Sequence, residues 1–118
     1  MKTLLRATVL TMAAWLPGTL FATCGHNSGV DFCGPEFISL LYVTESGLVY
    51  VRPTTPLAPP PAGFLCKPVG GSYFVLDPKA SNFKQVYAAL LSARVSGAEV
   101  TLVADPARST CTILYVTL

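Results

Sequence analysis

Apolar residues change their spacing along this chain, and each spacing predicts an element. From Phe37 to Thr44 (FISLLYVT) the run is β-branched and aromatic, Glu45-Ser46-Gly47 interrupts it, and LVYVR resumes from Leu48 to Arg52. Two apolar runs joined by a short Gly-containing loop predict a β-hairpin. The next stretch, PTTPLAPPPAGF, carries Pro53, Pro56, Pro59, Pro60 and Pro61. Proline lacks the backbone donor and fixes φ, so no strand continues through it, and the segment reads as a stiff surface loop. After Cys66-Lys67-Pro68 and a Gly70-Gly71 turn, YFVLD from Tyr73 to Asp77 predicts a third strand.

The period then becomes helical. Phe83, Val86, Tyr87, Leu90 and Leu91, with Val95 less regular, form the i, i+3, i+4, i+7, i+8 stripe of a helix with one buried face. Asn82 with Gln85 suggests a capping box at its start, Gly97 a left-handed stop, and Lys84 and Arg94 a solvated face. Two further strands follow, Glu99 to Ala104 and Cys111 to the carboxyl terminus, separated by a turn at Asp105-Pro106-Ala107-Arg108. The order β-β-β-α-β-β excludes a Rossmann repeat and a helical bundle. It matches a mainly β domain with one helix, a five-stranded Greek-key barrel of the OB type, whose helix lies between the third and fourth strands. The alternative is an open α+β sheet with the helix packed on one face.

Ahead of these elements, MKTLLRATVLTMAAWLPGTLFA carries Lys2 and Arg6, an apolar run from Ala7 to Leu16, Pro17-Gly18 and a small residue at Ala22. That is the pattern of a secretory signal peptide, its apolar run shorter than the roughly 20 residues that span a bilayer. Cleavage after Ala22 leaves Thr23–Leu118 as a single small domain; a lipid-anchored version would instead begin at Cys24. Residues 1–22 are therefore assigned to export and 23–118 to the domain, with no membrane span in the mature chain. The protein is expected in the periplasm or outside the cell.

Export changes the meaning of the charges and the cysteines. The chain has eight Lys plus Arg and six Asp plus Glu; without Lys2 and Arg6 the two signs balance, leaving no basic footprint for nucleic acid. In an oxidising compartment the four cysteines predict two disulfides, with three connectivities open to the sequence. CGHNSGVDFC, residues 24–33, has one His and the wrong spacing for a zinc site, and its cysteines lie too far apart for a Cys-x-x-Cys redox motif. It reads as a Gly/Asn/Ser loop closed by Cys24–Cys33, with His26 solvated. In an OB barrel the third and fifth strands start side by side, which makes Cys66–Cys111 the sensible second bridge.

No catalytic constellation is evident. His26 is in the terminal loop, and Asp31, Glu36, Glu45, Asp77, Glu99 and Asp105 are scattered, mostly at turns and strand ends. No metal, cofactor or enzymatic activity is expected.

The stretch from Cys66 to Leu118 (cysteine, aromatic strand, helix with Phe and Tyr on its buried face, Val-Thr strand, cysteine, final strand) resembles the OB-fold binding subunits of pentameric secreted toxins of the pertussis and subtilase type. The resemblance implies a non-enzymatic module that forms a homo-oligomer and binds glycan or protein ligands. Tyr42 and Tyr50 are the candidate binding residues, because aromatic faces stack on sugars and anchor interfaces; each also fits an ordinary half-buried strand. The competing expectation is a monomeric periplasmic accessory or structural protein.

Overall fold

The computed structural model describes residues 23–118, and residues 1–22, read from the sequence as an export signal, lie outside the described residues. Seven strands and one helix follow in the order β1 (Thr23–Asn27), β2 (Val30–Glu36), β3 (Ile38–Val43), β4 (Val49–Pro53), β5 (Phe74–Leu76), α1 (Phe83–Ser96), β6 (Val100–Asp105) and β7 (Thr112–Thr117). They form one sheet in the order β1-β2-β6-β7-β5-β4-β3. Every pairing is antiparallel except β5 with β7, where Val75 faces Thr112 in parallel. The protein is thus mainly β with one helix. The expected five strands are seven, and the sheet is not a closed barrel: its pairings end at two edges, β1 and β3.

The extra strands come from the segment read as a disulfide loop. Ser28 and Gly29 both have positive φ, 52° and 78°, the geometry of the tight turn whose twist matches a hairpin. Asn27 therefore faces Val30, and Cys24 faces Cys33 across the ladder. Loop-forming residues at the turn and Gly25 had masked a period-2 pattern in which Asp31 and Cys33 point inward. At Gly34 an added Cβ would meet the Thr101 backbone of β6 at 2.5 Å, so only glycine allows β2 to lie this close to β6. His26 is consequently a strand residue rather than a loop residue, and it remains exposed to solvent as expected.

The core is built from Val49 and Val51 of β4, Phe74 and Leu76 of β5, Leu102 of β6 and Ile113 of β7, closed by Val86, Leu90 and Ala93 of the helix. The helix packs against β3 and β7. Its buried face is narrower than the periodicity suggested, for Leu91 is 43% and Val95 80% exposed. Gly97, at φ 70°, ends it in the left-handed conformation, and Ala98 N–H donates to Ala93 O. The capping box does not form. Asn82 makes no side-chain cap; its Nδ2 instead donates to Leu114 O at 2.9 Å, tying the helix start to β7.

The proline-rich segment is moored at both ends of its course. Leu57 is buried in the core, and Phe64 packs edge-on against Phe74, with ring centroids 6.2 Å apart. Beyond it the Leu65 and Cys66 N–H groups donate to Asp31 Oδ2 at 2.9 and 2.8 Å. Asp31 is fully buried. Its other oxygen lies 2.7 Å from His26 Nδ1; a carboxylate can only accept, so Nδ1 carries the proton. These contacts set Cys66 in place for its bridge to Cys111, and the Cys66 end is carried onward by Lys67 N–H to Ser109 O and Cys111 N–H to Lys67 O. The other bridge joins Cys24 to Cys33. In the chain-entropy model the 45-residue closure by Cys66–Cys111 contributes about 4 kcal/mol.

Removing the Asp31 carboxylate strands the buried Cys66 amide, at a cost on the order of 1–3 kcal/mol, and takes the acceptor from the part-buried Leu65 amide and from His26 as well. Asp31→Ala should lower unfolding free energy by about 3 kcal/mol, read from denaturant midpoints at unchanged slope. A loss comparable with that of an exposed carboxylate, such as Glu45→Ala, would show that Asp31 does not moor the loop.

Candidate functional site

Strand alternation places the tyrosines. On β4, Val49 and Val51 enter the core, which turns Tyr50 outward. On β3, Tyr42 lies directly opposite Tyr50 in the register and shares that outer face. Tyr73 comes from the far end of the proline-rich connection: Val69 and Tyr73 exchange backbone hydrogen bonds at 2.9 and 3.1 Å, and Tyr73 leads into β5 beside β4. The three rings converge. Tyr42 and Tyr50 have centroids 5.1 Å apart, and Tyr73 sets its ring against each of them, at 5.7 and 5.8 Å, in edge-type contacts. Such arrangements align the positive ring edge with a negative face. The cluster stays open to solvent, with Tyr42 40% exposed.

Tyr50 also lines a surface cavity of about 370 Å³ with Val69, Val75 and Thr110, continued by Asp77, Arg108 and Thr112. Those last three residues line a second cavity too, of about 630 Å³, which runs on to Lys79, Asn82 and Asp105. Arg108 Nη2 lies 3.4 Å from Asp77 Oδ2 between the two. Both aspartates shape turns as their positions before proline suggest: Asp77 Oδ1 accepts Lys79 N–H and Asp105 Oδ1 accepts Ala107 N–H, both at 2.9 Å. Sharing Asp77, Arg108 and Thr112, the two cavities adjoin as a groove with Tyr50 at one end, the Asp77–Arg108 pair between them, and Lys79, Asn82 and Asp105 on the far side. Aromatic faces, paired charges and short polar side chains in one groove can hold a flat, polyhydroxylated ligand by stacking and hydrogen bonding together.

Tyr42 and Tyr50, the two residues singled out by sequence, are brought together; Tyr73 was missed, because it was read only as the first residue of a strand. Its signal was the Gly70-Gly71-Ser72 turn that delivers it beside β4. The carboxylates do lie at turns and strand ends, but Asp31 and Glu36, at opposite ends of β2, are buried, which the sequence did not suggest. His26 and Asp31 form a hydrogen-bonded pair, and no serine or threonine hydroxyl bonds to His26 among the described residues. Cys24, Cys33 and Glu36 bring two sulfurs and a carboxylate oxygen within 4.8 Å of one another. With the sulfurs joined to each other, the oxidised protein offers a metal only the carboxylate there.

Comparison with family models, with curated proteins and with solved structures finds no match to this chain.

The phenol of Tyr42 is shifted upward from the ordinary value of 10.0, first by desolvation within the cluster and then by the nearby Tyr73 and Tyr50 hydroxyls. A raised value favours the neutral form in the folded state, so the contribution is present below the unfolded value and lost as pH rises through the folded one. In an alkaline titration read by phenolate absorbance, Tyr42→Phe should remove a component ionising above pH 10.0. Loss of a component at or below the ordinary tyrosine value would contradict the clustered geometry.

Proposed function

We propose that the mature chain is an exported, non-enzymatic binding module whose ligands are glycans, held on the Tyr42–Tyr50–Tyr73 face and in the groove beside it. The observation that carries this reading is the convergence of three partly exposed tyrosines from neighbouring strands at the mouth of a groove lined by Asp77, Arg108 and Thr112. A sugar ring stacks on such a face without needing a dedicated deep pocket, and the groove's polar groups supply direction. Two disulfides agree with a protein that works outside the cytoplasm.

The finer fold reading belongs to the same proposal. Only Phe37 separates β2 from β3, so the two behave as halves of one bent strand, the first paired with β6 and the second with β4. Counted as one, they make the five-strand order of an OB-like barrel, with β1 as an added edge. The parallel β5–β7 pair and the helix between β5 and β6 agree with that order. The resemblance of Cys66–Leu118 to toxin binding subunits supports the same assignment and extends it to a ring-forming homo-oligomer.

A glycan array probed with the exported, oxidised protein should show binding that Tyr50→Ala weakens about tenfold or more, equivalent to about 1.4 kcal/mol. Retained binding by Tyr50→Ala, or no bound glycan at all, would remove the reading, and the second result would favour the accessory-protein alternative.

A further inference from the structure

Glu36, on β2, is the buried carboxylate that neither the core nor the tyrosine face uses. It is 1% exposed. Its Oε2 accepts the Thr54 hydroxyl at 2.6 Å, and Oε1 accepts Thr55 N–H at 3.3 Å. The same Oε1 lies 3.5 Å from Cys33 Sγ and 4.0 Å from Cys24 Sγ. A sulfur within a disulfide has no proton to donate. In the oxidised protein Oε1 therefore faces two sulfurs and holds a single long hydrogen bond, whereas reduction places thiol donors against an acceptor already in position. Buried polar groups favour the state that satisfies them, and here that state is the dithiol.

Two further features separate this bridge from the other. Cys24 is only partly buried and belongs to β1, an edge of the sheet, while Cys66 and Cys111 are both enclosed. Cys24–Cys33 also joins residues that the β1–β2 ladder already holds opposite each other, with Thr23 paired to Gly34 and Gly25 to Phe32 on either side. Its opening leaves the hairpin hydrogen bonds in place. Cys66–Cys111 instead ties the long connection to β7 across 45 residues.

We propose that Cys24–Cys33 is a thiol–disulfide exchange site that reacts with an external dithiol, and that Glu36 is the proton carrier for the buried sulfur. A thiolate of the dithiol attacks Cys24 Sγ; a new S–S bond forms there as the Cys24–Cys33 bond breaks, and its electron pair goes to Cys33 Sγ. The proton given up by the incoming thiol reaches Cys33 Sγ through the Glu36 carboxyl. The second thiol of the reagent loses its proton and attacks the reagent's own sulfur in the mixed disulfide, and that proton goes to the departing Cys24 sulfur. Two electrons and two protons pass to the protein, and the reagent leaves as its cyclic disulfide. In the reverse direction the Glu36 carboxylate takes the Cys33 proton and makes that sulfur a nucleophile. The groups against the carboxyl are the two cysteines, Thr54 and Thr55.

The test uses the full mature chain from an exporting host, equilibrated in mixtures of reduced and oxidised dithiothreitol, then alkylated and weighed by mass spectrometry. Cys24–Cys33 should open at dithiol ratios that leave Cys66–Cys111 closed and the circular dichroism unchanged. Glu36→Gln should slow exchange at least about tenfold at neutral pH and remove one ionisation from the pH profile of the rate. Thr54→Val, which deletes only the hydroxyl bond to Oε2, should keep the wild-type profile. Simultaneous opening of both bridges with loss of structure in the unmodified protein would overturn the proposal, as would a Glu36→Gln profile that superimposes on wild type.

Discussion

The fold depends on one buried carboxylate. Among the described residues no Lys or Arg lies within ion-pair distance of Asp31; it is held by two backbone amides and one imidazole. An unpaired charge in that position would be too costly to keep, so the three donors are a condition of the fold rather than an addition to it. Through them β2, the end of the proline-rich connection and β1 are fixed to one point. Cys66 is the residue after Leu65 in that clasp, and so the longer disulfide starts from a backbone that Asp31 has already positioned.

That clasp also explains how an irregular segment can deliver a side chain to the candidate site. The connection from β4 to β5 is long and rich in proline, which limits its unfolded freedom but supplies few backbone donors. Leu57, Phe64 and the Asp31 amides hold it at successive points, and Lys67 and Val69 then pair with Thr110 and Tyr73. Tyr73 arrives beside Tyr50 at the end of this sequence of anchors. The outward face of the β3–β4 hairpin would otherwise present two tyrosines; the moored connection makes them three and sets them at the mouth of the groove.

Elements with a strong period were legible in the residues: the β3–β4 hairpin, the helix and its Gly97 stop, and the two last strands. The first hairpin was not, because Gly25, Asn27, Ser28 and Gly29 look like a loop, and the Ser-Gly pair that makes its tight turn was read with them. The capping box failed for a tertiary reason. Asn82 is a good cap by type, yet the carbonyl of Leu114 on β7 competes for its side chain. Asp31 and Glu36 were illegible as buried groups, since apart from His26 their hydrogen-bond donors are backbone amides and a hydroxyl some 18 to 35 residues away, at Thr54, Thr55, Leu65 and Cys66. Of the candidate site, Tyr42 and Tyr50 could be found by strand alternation, but the groove required the fold.

The most direct measurement is a backbone-amide chemical-shift map of the isotope-labelled mature protein, titrated with a soluble oligosaccharide taken from the strongest array signal. The account predicts that shifts concentrate at Tyr42, Tyr50, Tyr73 and Arg108 and fade toward the first hairpin. Shifts centred on the exposed helix residues Leu91 and Val95, with the tyrosine strands unmoved, would contradict it.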